Sequence, residues 1–432
     1  MKKYPSFLLK MMLAGMALGT AWAVRGQFGH EHGAAWAGGI GVLSVLLLSQ
    51  RQDWYKRLPA IVALGAIGWG VGGMMSYGQV VGYGRSLDYL NVSYGLFGLF
   101  LIGGLYGFIG GGLTGLSLSS STEKKISWAQ LITQMVAGGY LLWGILIYQL
   151  EWLMTPPRSE LWAACLGAAL ALGWYAYRHQ YYSSLKVAFF SGLGAGFGFA
   201  FGNFLQVLGS SSGIDFNWWN VMEYSLGFFG GLGMAYGIFS EKWPESLVPD
   251  MMANRFGWFF LVLLLPFTNI IEAFGYEKLI GRGENLGIEN LQAFVRLEYM
   301  LSWGSLAVLS IFLIWYYRNK VTSNMHWSQQ DGLLLFGLYL GWYIFLSNVM
   351  GAIWLNGGGL KEYLYWVNLL VIVLGIRFIS AKTALSPKYS SSQSLFFRIS
   401  SSAILIIFVL SLILIYTHKE MPGAQTRFVL WE

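Results

Sequence analysis

The sequence contains one cysteine in 432 residues, Cys165, and it lies within an apolar run. A single cysteine excludes an internal disulfide and a metal site built from cysteines. Charged residues are also scarce, because Asp, Glu, Lys and Arg make up 11% of the chain, against about 25% in an average soluble domain. The connections between apolar runs contain neither a phosphate-binding glycine loop nor a long polar insertion, which argues against an ATP-driven pump.

Apolar and aromatic residues are abundant instead. They reach 56% and 17% of the chain, and the mean hydropathy is +0.53, values typical of an all-α polytopic integral membrane protein. We predict one transmembrane domain over residues 1–432 that ends in a tail at 417–432. Thirteen apolar runs are long enough to cross a bilayer as helices: residues 7–24, 34–49, 58–76, 92–116, 128–150, 160–177, 187–208, 218–239, 258–274, 295–317, 332–350, 363–379 and 397–416.

The charges of the connections predict the orientation of these spans. When alternate connections are assigned to alternate sides, Lys and Arg collect on the side of the N-terminus, and Asp and Glu on the other. Short loops rich in Lys and Arg stay in the cytoplasm. We therefore expect a protein of the plasma (inner) membrane with the N-terminus inside and the tail outside, and the net charge of +7 follows from this loop bias.

The first span has a second interpretation. Two lysines, an apolar stretch and the sequence Ala21-Trp22-Ala23 are also typical of a secretory signal peptide with its cleavage site. Cleavage would leave twelve spans and would place Arg25 near a new N-terminus. The predicted sidedness of the other spans is the same in both cases.

Two stretches, 68–108 and 194–238, share a layout of glycine, tyrosine and amide residues, and 341–368 is a fainter third copy. The offset corresponds to four spans, so the copies would have the same orientation, unlike inverted repeats. We predict possible parallel four-helix units at about 58–186, 187–331 and 332–416. Chance similarity among glycine-rich aromatic helices is the alternative.

The 57 glycines lie mostly in apolar runs, many at a spacing of four residues. This spacing indicates close backbone packing between helices, and the clearest examples are Gly103, Gly107, Gly111 and Gly115, with Gly192 and Gly196. A second interpretation is that some glycines interrupt helices near the outer surface and expose backbone groups to a ligand. Residues 76–84 and 351–359 are the best candidates for such interruptions.

The first outer connection, residues 25–33, concentrates an arginine, a carboxylate and two histidines. If the segment is extended, His30 and His32 lie on one side and could share a metal ion such as zinc or iron with carboxylates. Alternatively, Arg25 and the first amides of the second span could bind an anion. In a purely structural interpretation, Arg25 pairs with Glu31 and closes the hairpin.

Other polar residues of the outer side lie within or beside apolar runs, where they need partners. We expect them to converge with the first connection on one outward-facing site. The candidate ligand-binding residues are Arg25, Gln27, His30, Glu31, His32, Gln79, Arg85, Asp88, Asn203, Gln206, Asp215, Glu223, Asn269, Glu272, Arg282, Glu298 and Asn348. Trp and Tyr at the ends of the spans fit the interfacial belt of membrane proteins, and they also suit a carbohydrate site.

These features favour a secondary transporter for a small polar, sugar-like or carboxylated solute, with protons as a possible coupling ion through Glu31 and the histidines. In this mechanism an anionic solute takes Arg25 from Glu31, which then binds a proton. The alternative is a membrane-embedded enzyme at the outer face, with Glu31 and a second carboxylate as acid and base or a His/Glu metal centre. A sensor or assembly subunit is a third possibility. The predicted partners are the lipid bilayer and a small polar solute, with no nucleic acid and no firmly implied cofactor.

Overall fold

A computed structural model describes residues 4–246, 250–322, 327–357, 359–379 and 393–428. Every regular element in these ranges is helical. The helices are α1 Tyr4–Arg25, α2 Glu31–Ser49, α3 Gln52–Tyr55, α4 Leu58–Gly73, α5 Gly78–Tyr83, α6 Tyr89–Ser119, α7 Trp128–Trp143, α8 Leu161–Arg178, α9 Tyr182–Ser211, α10 Trp218–Phe239, α11 Met251–Phe259, α12 Leu265–Ala273, α13 Tyr276–Asn285, α14 Leu291–Thr322, α15 Gln329–Met350, α16 Ile353–Asn356, α17 Leu360–Phe378 and α18 Gln393–Leu414. The π-helical segment Gly144–Gln149 extends α7, and Phe260–Leu264 joins α11 to α12.

All thirteen predicted apolar runs contain a helix. Among the described residues, nine helices are both long and apolar enough to cross a membrane, and α4 is a shorter apolar helix. The all-helical, multi-pass class predicted from composition is therefore supported, because a bilayer-spanning helix needs about 20 apolar residues.

Glycine positions explain how the central helices pack. Helix α9 lies between α6 and α10, while α1 packs against α10 and α2, and α4 packs against α2 and α6. A Cβ atom on Gly103 would lie 2.5 Å from the carbonyl oxygen of Ala195, and one on Gly107 would overlap the carbonyl group of Ser191. On α9, a Cβ atom on Gly196 would lie 2.5 Å from the carbonyl oxygen of Phe100. The glycine stripes of α6 and α9 thus allow direct backbone contact, which confirms the packing interpretation.

The predicted helix interruptions also occur. Helix α4 ends at Gly73 and α5 begins only at Gly78. In the second segment, Ala352 and Gly357 adopt left-handed backbone conformations on either side of α16.

The span made of α11 and α12 contains a π-helical segment just before a proline. Pro266 has no N–H group and cannot donate to the carbonyl oxygen of Val262, four residues earlier. The Ser310 hydroxyl on α14 donates to this oxygen at 2.8 Å, and the Tyr339 hydroxyl on α15 donates to the carbonyl oxygen of Leu261 at 3.0 Å. The last turn of α12 lies at the same end of the bundle as residues 26–30, since Glu272 lies against Gly29.

Candidate functional site

Arg25, the last residue of α1, is only 2% exposed. Its Nη1 donates to the Tyr77 hydroxyl at 2.6 Å and lies 3.5 Å from Oε2 of Glu223. Its Nη2 donates to the carbonyl oxygen of His30 at 3.2 Å. Among the described residues, the Nε–H group of Arg25 has no hydrogen-bond partner. The guanidinium group is thus buried, with part of its bonding capacity unused.

Glu223 on α10 is fully buried, with 0% exposure. Its Oε1 accepts hydrogen bonds from the Tyr77 hydroxyl at 2.5 Å and from the Trp219 indole at 3.2 Å. Tyr77, between α4 and α5, thus bridges the cation and the carboxylate. We call Arg25, Tyr77 and Glu223 the Arg25 site, to which α1, the α4–α5 connection and α10 each contribute one residue.

Aromatic rings surround the Arg25 site. The guanidinium carbon lies 5.5 Å from the ring centroid of Trp22. The ring of Tyr77 stacks on that of Trp219 with centroids 6.2 Å apart, and Phe199 contacts Tyr77 edge-on at 5.0 Å. Such walls exclude water, so charge interactions in the site are stronger than at a surface.

The first loop, residues 26–30, covers this site as a thin layer. Gly26 is exposed, yet a Cβ atom on it would lie 3.9 Å from Cγ of Glu223. His30 is half-buried, and its ring lies 5.6 Å from that of Tyr77. Burial and the neighbouring Arg25 guanidinium lower the pKa of His30. The exposed Gly26 and the half-buried His30 thus lie between the Arg25 site and the surface.

Helix α12 contacts the first turn of α2, directly after the first loop. Nδ1 of His32 lies 2.9 Å from Oε2 of Glu272, and the Asn269 side chain donates to the carbonyl oxygen of His32 at 3.2 Å. Gly29 has a φ of +83°, and its missing side chain leaves the space that the Glu272 carboxylate occupies. His32 and Glu272 are 39% and 31% exposed. We call this partly solvated pair the latch.

The placement of the first-loop residues differs from the simplest expectations. Arg25 pairs with Glu223, and Glu31 is exposed at the start of α2. The structural interpretation of an Arg25–Glu31 pair is therefore wrong. His30 faces the Arg25 site, whereas His32 faces Glu272, so the two rings have different neighbours. No group of three potential metal-ligating side chains occurs in the part of the chain that the structure describes.

Helix α15 supplies further contacts to the first loop. The Ser347 hydroxyl donates to Oε1 of Gln27 at 2.7 Å, and the Tyr343 hydroxyl donates to the carbonyl oxygen of Gly33 at 3.1 Å. The next residue, Asn348, has a buried Oδ1 that no described residue contacts by a hydrogen bond. Gln27 thus lies at the edge of the first loop, on the side of α15.

Three of the predicted residues lie under the C-terminal tail. The Gln79 amide donates to the side chain of Gln425 at 2.9 Å, and Arg85 donates to the carbonyl oxygen of Pro422 at 3.0 Å. Asp88 caps α6 through the amide of Leu90 and contacts Asn91, whose side chain bonds the tail backbone. The tail thus contacts α5, the helix that follows Tyr77, and the residues between α5 and the first turn of α6.

The remaining candidates do not contact the Arg25 site. Asn203 donates to Gln206 at 3.0 Å within α9, and Asp215 is exposed. Arg282 on α13 lies 3.6 Å from the buried Glu298 on α14. The structure therefore joins Arg25, His30 and Glu223 in one cluster and places the His32–Glu272 pair next to the first loop. The candidates under the tail, on α9, and on α13 and α14 form separate groups.

Sequence reasoning missed Tyr77 and Trp219. The interfacial belt accounts for aromatic residues at span ends, so neither differs from a structural residue in the sequence alone. The available signal for Tyr77 was its position within the predicted interruption 76–84.

Comparisons with protein-family models, with curated proteins and with solved structures give no match. Any function must therefore be argued from the geometry of the site.

Proposed function

We propose that the protein is a secondary transporter of the plasma membrane whose solute-binding site is the Arg25 site. The solute is a small polar anion, either a carboxylate or an acidic sugar. Arg25 would bind its carboxylate, while Tyr77 and Glu223 would bind hydroxyl groups. The aromatic rings around the site would pack against the flat face of a sugar.

The observation that carries this proposal is a buried ion pair whose two charged groups lie far apart for such a pair. The Arg25–Glu223 distance of 3.5 Å is long for a charge-assisted hydrogen bond, which usually measures about 2.7–2.9 Å. A buried ion pair contributes little net stability relative to apolar side chains. Ionisable groups at membrane depth usually mark solute or ion pathways. We infer that Arg25 exchanges between Glu223 and the solute carboxylate.

The π-helical segment before α12 supports a gated site. Helix α12 follows the segment Phe260–Leu264, and its last turn contacts the first turn of α2 through the latch. Short π-helical segments are frequent at functional sites. Rotation of α12 away from His32 would release the first turn of α2 and, with it, the adjoining first loop beside the Arg25 site. Since Glu272 is about a third exposed, water already solvates part of the latch and can replace its contacts when the latch opens.

The orientation is part of this proposal. Thirteen spans, with the N-terminus inside, would place the first loop and the latch outside, so that the solute enters from the outer face. The charge bias of the connections supports this arrangement.

Ligand-induced thermal stabilisation of the purified protein tests the site. The probes are D-glucuronate, D-galacturonate and succinate, with D-glucose as the uncharged comparison. A ligand at about 100 times its Kd adds about 2.7 kcal/mol to the free energy of unfolding. We expect at least one anion to raise the melting temperature of the wild type and of Arg296→Lys, a variant of an exposed arginine on α14.

Arg25→Lys should lose this stabilisation, because a lysine cannot offer two parallel N–H groups to a carboxylate. If the folded Arg25→Lys protein responds to the same anion as strongly as the wild type, the assignment of the Arg25 site is wrong. A probe that binds and is then converted chemically would favour the membrane-embedded enzyme, with Glu223 and His30 as the acid–base groups.

A further inference from the structure

A second buried carboxylate, Glu298, lies apart from the Arg25 site. It is on α14 and has 0% exposure, and neither of its carboxylate oxygens accepts a hydrogen bond from any described residue. The closest cation is Arg282, whose Nη1 is 3.6 Å from Oε2, beyond hydrogen-bond length. Nη1 of Arg282 has no hydrogen-bond partner among the described residues either. Glu298 and Arg282 thus face each other across a gap, and the Glu298 carboxylate accepts no hydrogen bond from the described residues.

An ionised carboxylate in this position is costly. Removing a carboxylate from water costs several kcal/mol, and one long contact with a guanidinium group offsets only part of it. Hydrogen-bond donors would lower the cost, but the Ser302 hydroxyl, one turn away on the same helix, donates to the backbone oxygen of Glu298 at 2.7 Å. The carboxylate can be neutralised without any rearrangement by taking up one proton.

We propose that Glu298 is a proton-binding site, separate from the solute site. Its protonation controls how strongly α13 binds the last turn of α12, the gate helix. The binding step is the addition of one proton from the outer solution to the carboxylate, which forms a neutral carboxyl group. As a coupling site, it rests on the transporter function proposed above. Proton binding itself does not depend on that function.

The contacts of α13 connect this proton to the gate. Arg282 Nη2 donates to the carbonyl oxygen of Ala273 at 3.3 Å, and Lys278 donates to that of Glu272 at 2.7 Å. Both cations therefore cap the last turn of α12, where positive charge is favourable. An ionised Glu298 attracts Arg282 away from this cap. A protonated Glu298 leaves Arg282 on α12 and so stabilises the latched position.

The other charged groups nearby are engaged elsewhere or are exposed. The side chain of Glu272 on α12 faces His32, and Arg296 on α14 is exposed. Among the described residues, Arg282 is the charged side chain with a contact to Glu298. The protonation of Glu298 should thus depend mainly on its burial and on Arg282.

Infrared difference spectroscopy of the purified full-length protein tests the proton site without any solute. We expect a carbonyl stretch from a protonated carboxyl group that persists at about pH 6, where solvated glutamates, with a pKa of about 4.3, are ionised. The band should shift in heavy water, should be absent from Glu298→Gln, and should remain in Glu289→Gln, a variant of an exposed glutamate at the same end. In Arg282→Gln, the band should persist to a higher pH than in the wild type.

Glu298→Asp keeps a carboxyl group and should keep the band, which separates loss of the proton site from misfolding of the glutamine variant. If the wild type and Glu298→Asp show no such band at about pH 6, Glu298 is an ionised partner of Arg282 and the proposal is wrong. If the band of Arg282→Gln disappears at the same pH as the band of the wild type, Arg282 does not influence Glu298 and the link to the gate is wrong. A clear band in a protein that transports none of the probes would contradict the transporter function and leave the proton site standing.

Discussion

At the scale of single residues, the site depends on the hydroxyl group of Tyr77. It accepts a hydrogen bond from Arg25 and donates one to Glu223, so it joins two charges that are 3.5 Å apart. Without this bridge, the charged groups of Arg25 and Glu223 would remain buried, and each would make one hydrogen bond fewer.

Removing the carboxylate charge should destabilise the protein strongly. Glu223→Gln leaves the Arg25 charge buried without a counter-charge, which costs about 3–5 kcal/mol in comparable cases. Tyr77→Phe removes only the bridge and should cost about 1–3 kcal/mol. Unfolding of the purified protein in denaturing detergent measures both values. Glu289→Gln, at an exposed position, should change the unfolding free energy by less than about 0.5 kcal/mol; an equally small effect of Glu223→Gln would contradict the account of the site.

His30 should make stability depend on pH in one direction. Its pKa is lowered in the folded protein by burial and by Arg25, so the unfolded chain binds a proton more readily than the folded one. The stability that neutral His30 provides is fully present above its ordinary pKa of about 6.5 and is lost as the pH falls towards the lowered value.

Melting temperatures of the wild type and of His30→Gln, measured from about pH 8 to about pH 5, isolate this effect. The stability of the wild type relative to His30→Gln should fall below about pH 6.5. A relative stability that rises on acidification would mean that protonated His30 is bound favourably, against the geometry described here.

At the scale of elements, α12 is the helix that we propose as the gate. The carbonyl groups of Leu261 and Val262, in the π-helical segment before it, accept hydrogen bonds from side chains of α15 and α14. Its last two turns contact the start of α2 through polar groups, which exchange with water more readily than packed apolar side chains do.

Cross-linking the latch should stop the gate. In a Cys165→Ala background, His32→Cys and Glu272→Cys together can be joined by a short reducible thiol cross-linker, since the two side chains are in contact. We expect the cross-linked protein to lose solute exchange and to regain it on reduction, whereas each single-cysteine variant treated with the same reagent remains active. Undiminished exchange after complete cross-linking would show that α12 is not the gate.

At the scale of the whole molecule, the helices were predictable and their mutual contacts were not. Spans such as α6 and α9 are identified directly by apolar runs that are long enough to cross a bilayer. The spacing of their glycines indicates close packing. The pairing of Arg25 with Glu223 joins residues far apart in the chain and depends on the α1–α10 interface. No local pattern encodes that interface, so the sequence offered Glu31 as a nearer partner.

The charge bias predicts the sidedness of every connection. Reporter fusions after Arg57, Lys125, Lys186 and Lys320 should report the cytoplasm. Fusions within residues 209–217 or after His418 should report the outside. Any two fusions on the opposite side would contradict the thirteen-span arrangement and would move the first loop to a different face of the membrane.

The central claim is that the Arg25 site carries an anionic solute across the membrane. Solute counterflow in proteoliposomes tests it most directly: vesicles loaded with an unlabelled anion that stabilises the protein are diluted into the same labelled anion, with no ATP present. The account predicts transient, saturable accumulation of chemically unchanged label by the wild type and by Arg296→Lys, and none by folded Arg25→Lys. Equal accumulation by Arg25→Lys, or no accumulation of any stabilising anion by the wild type, would contradict it.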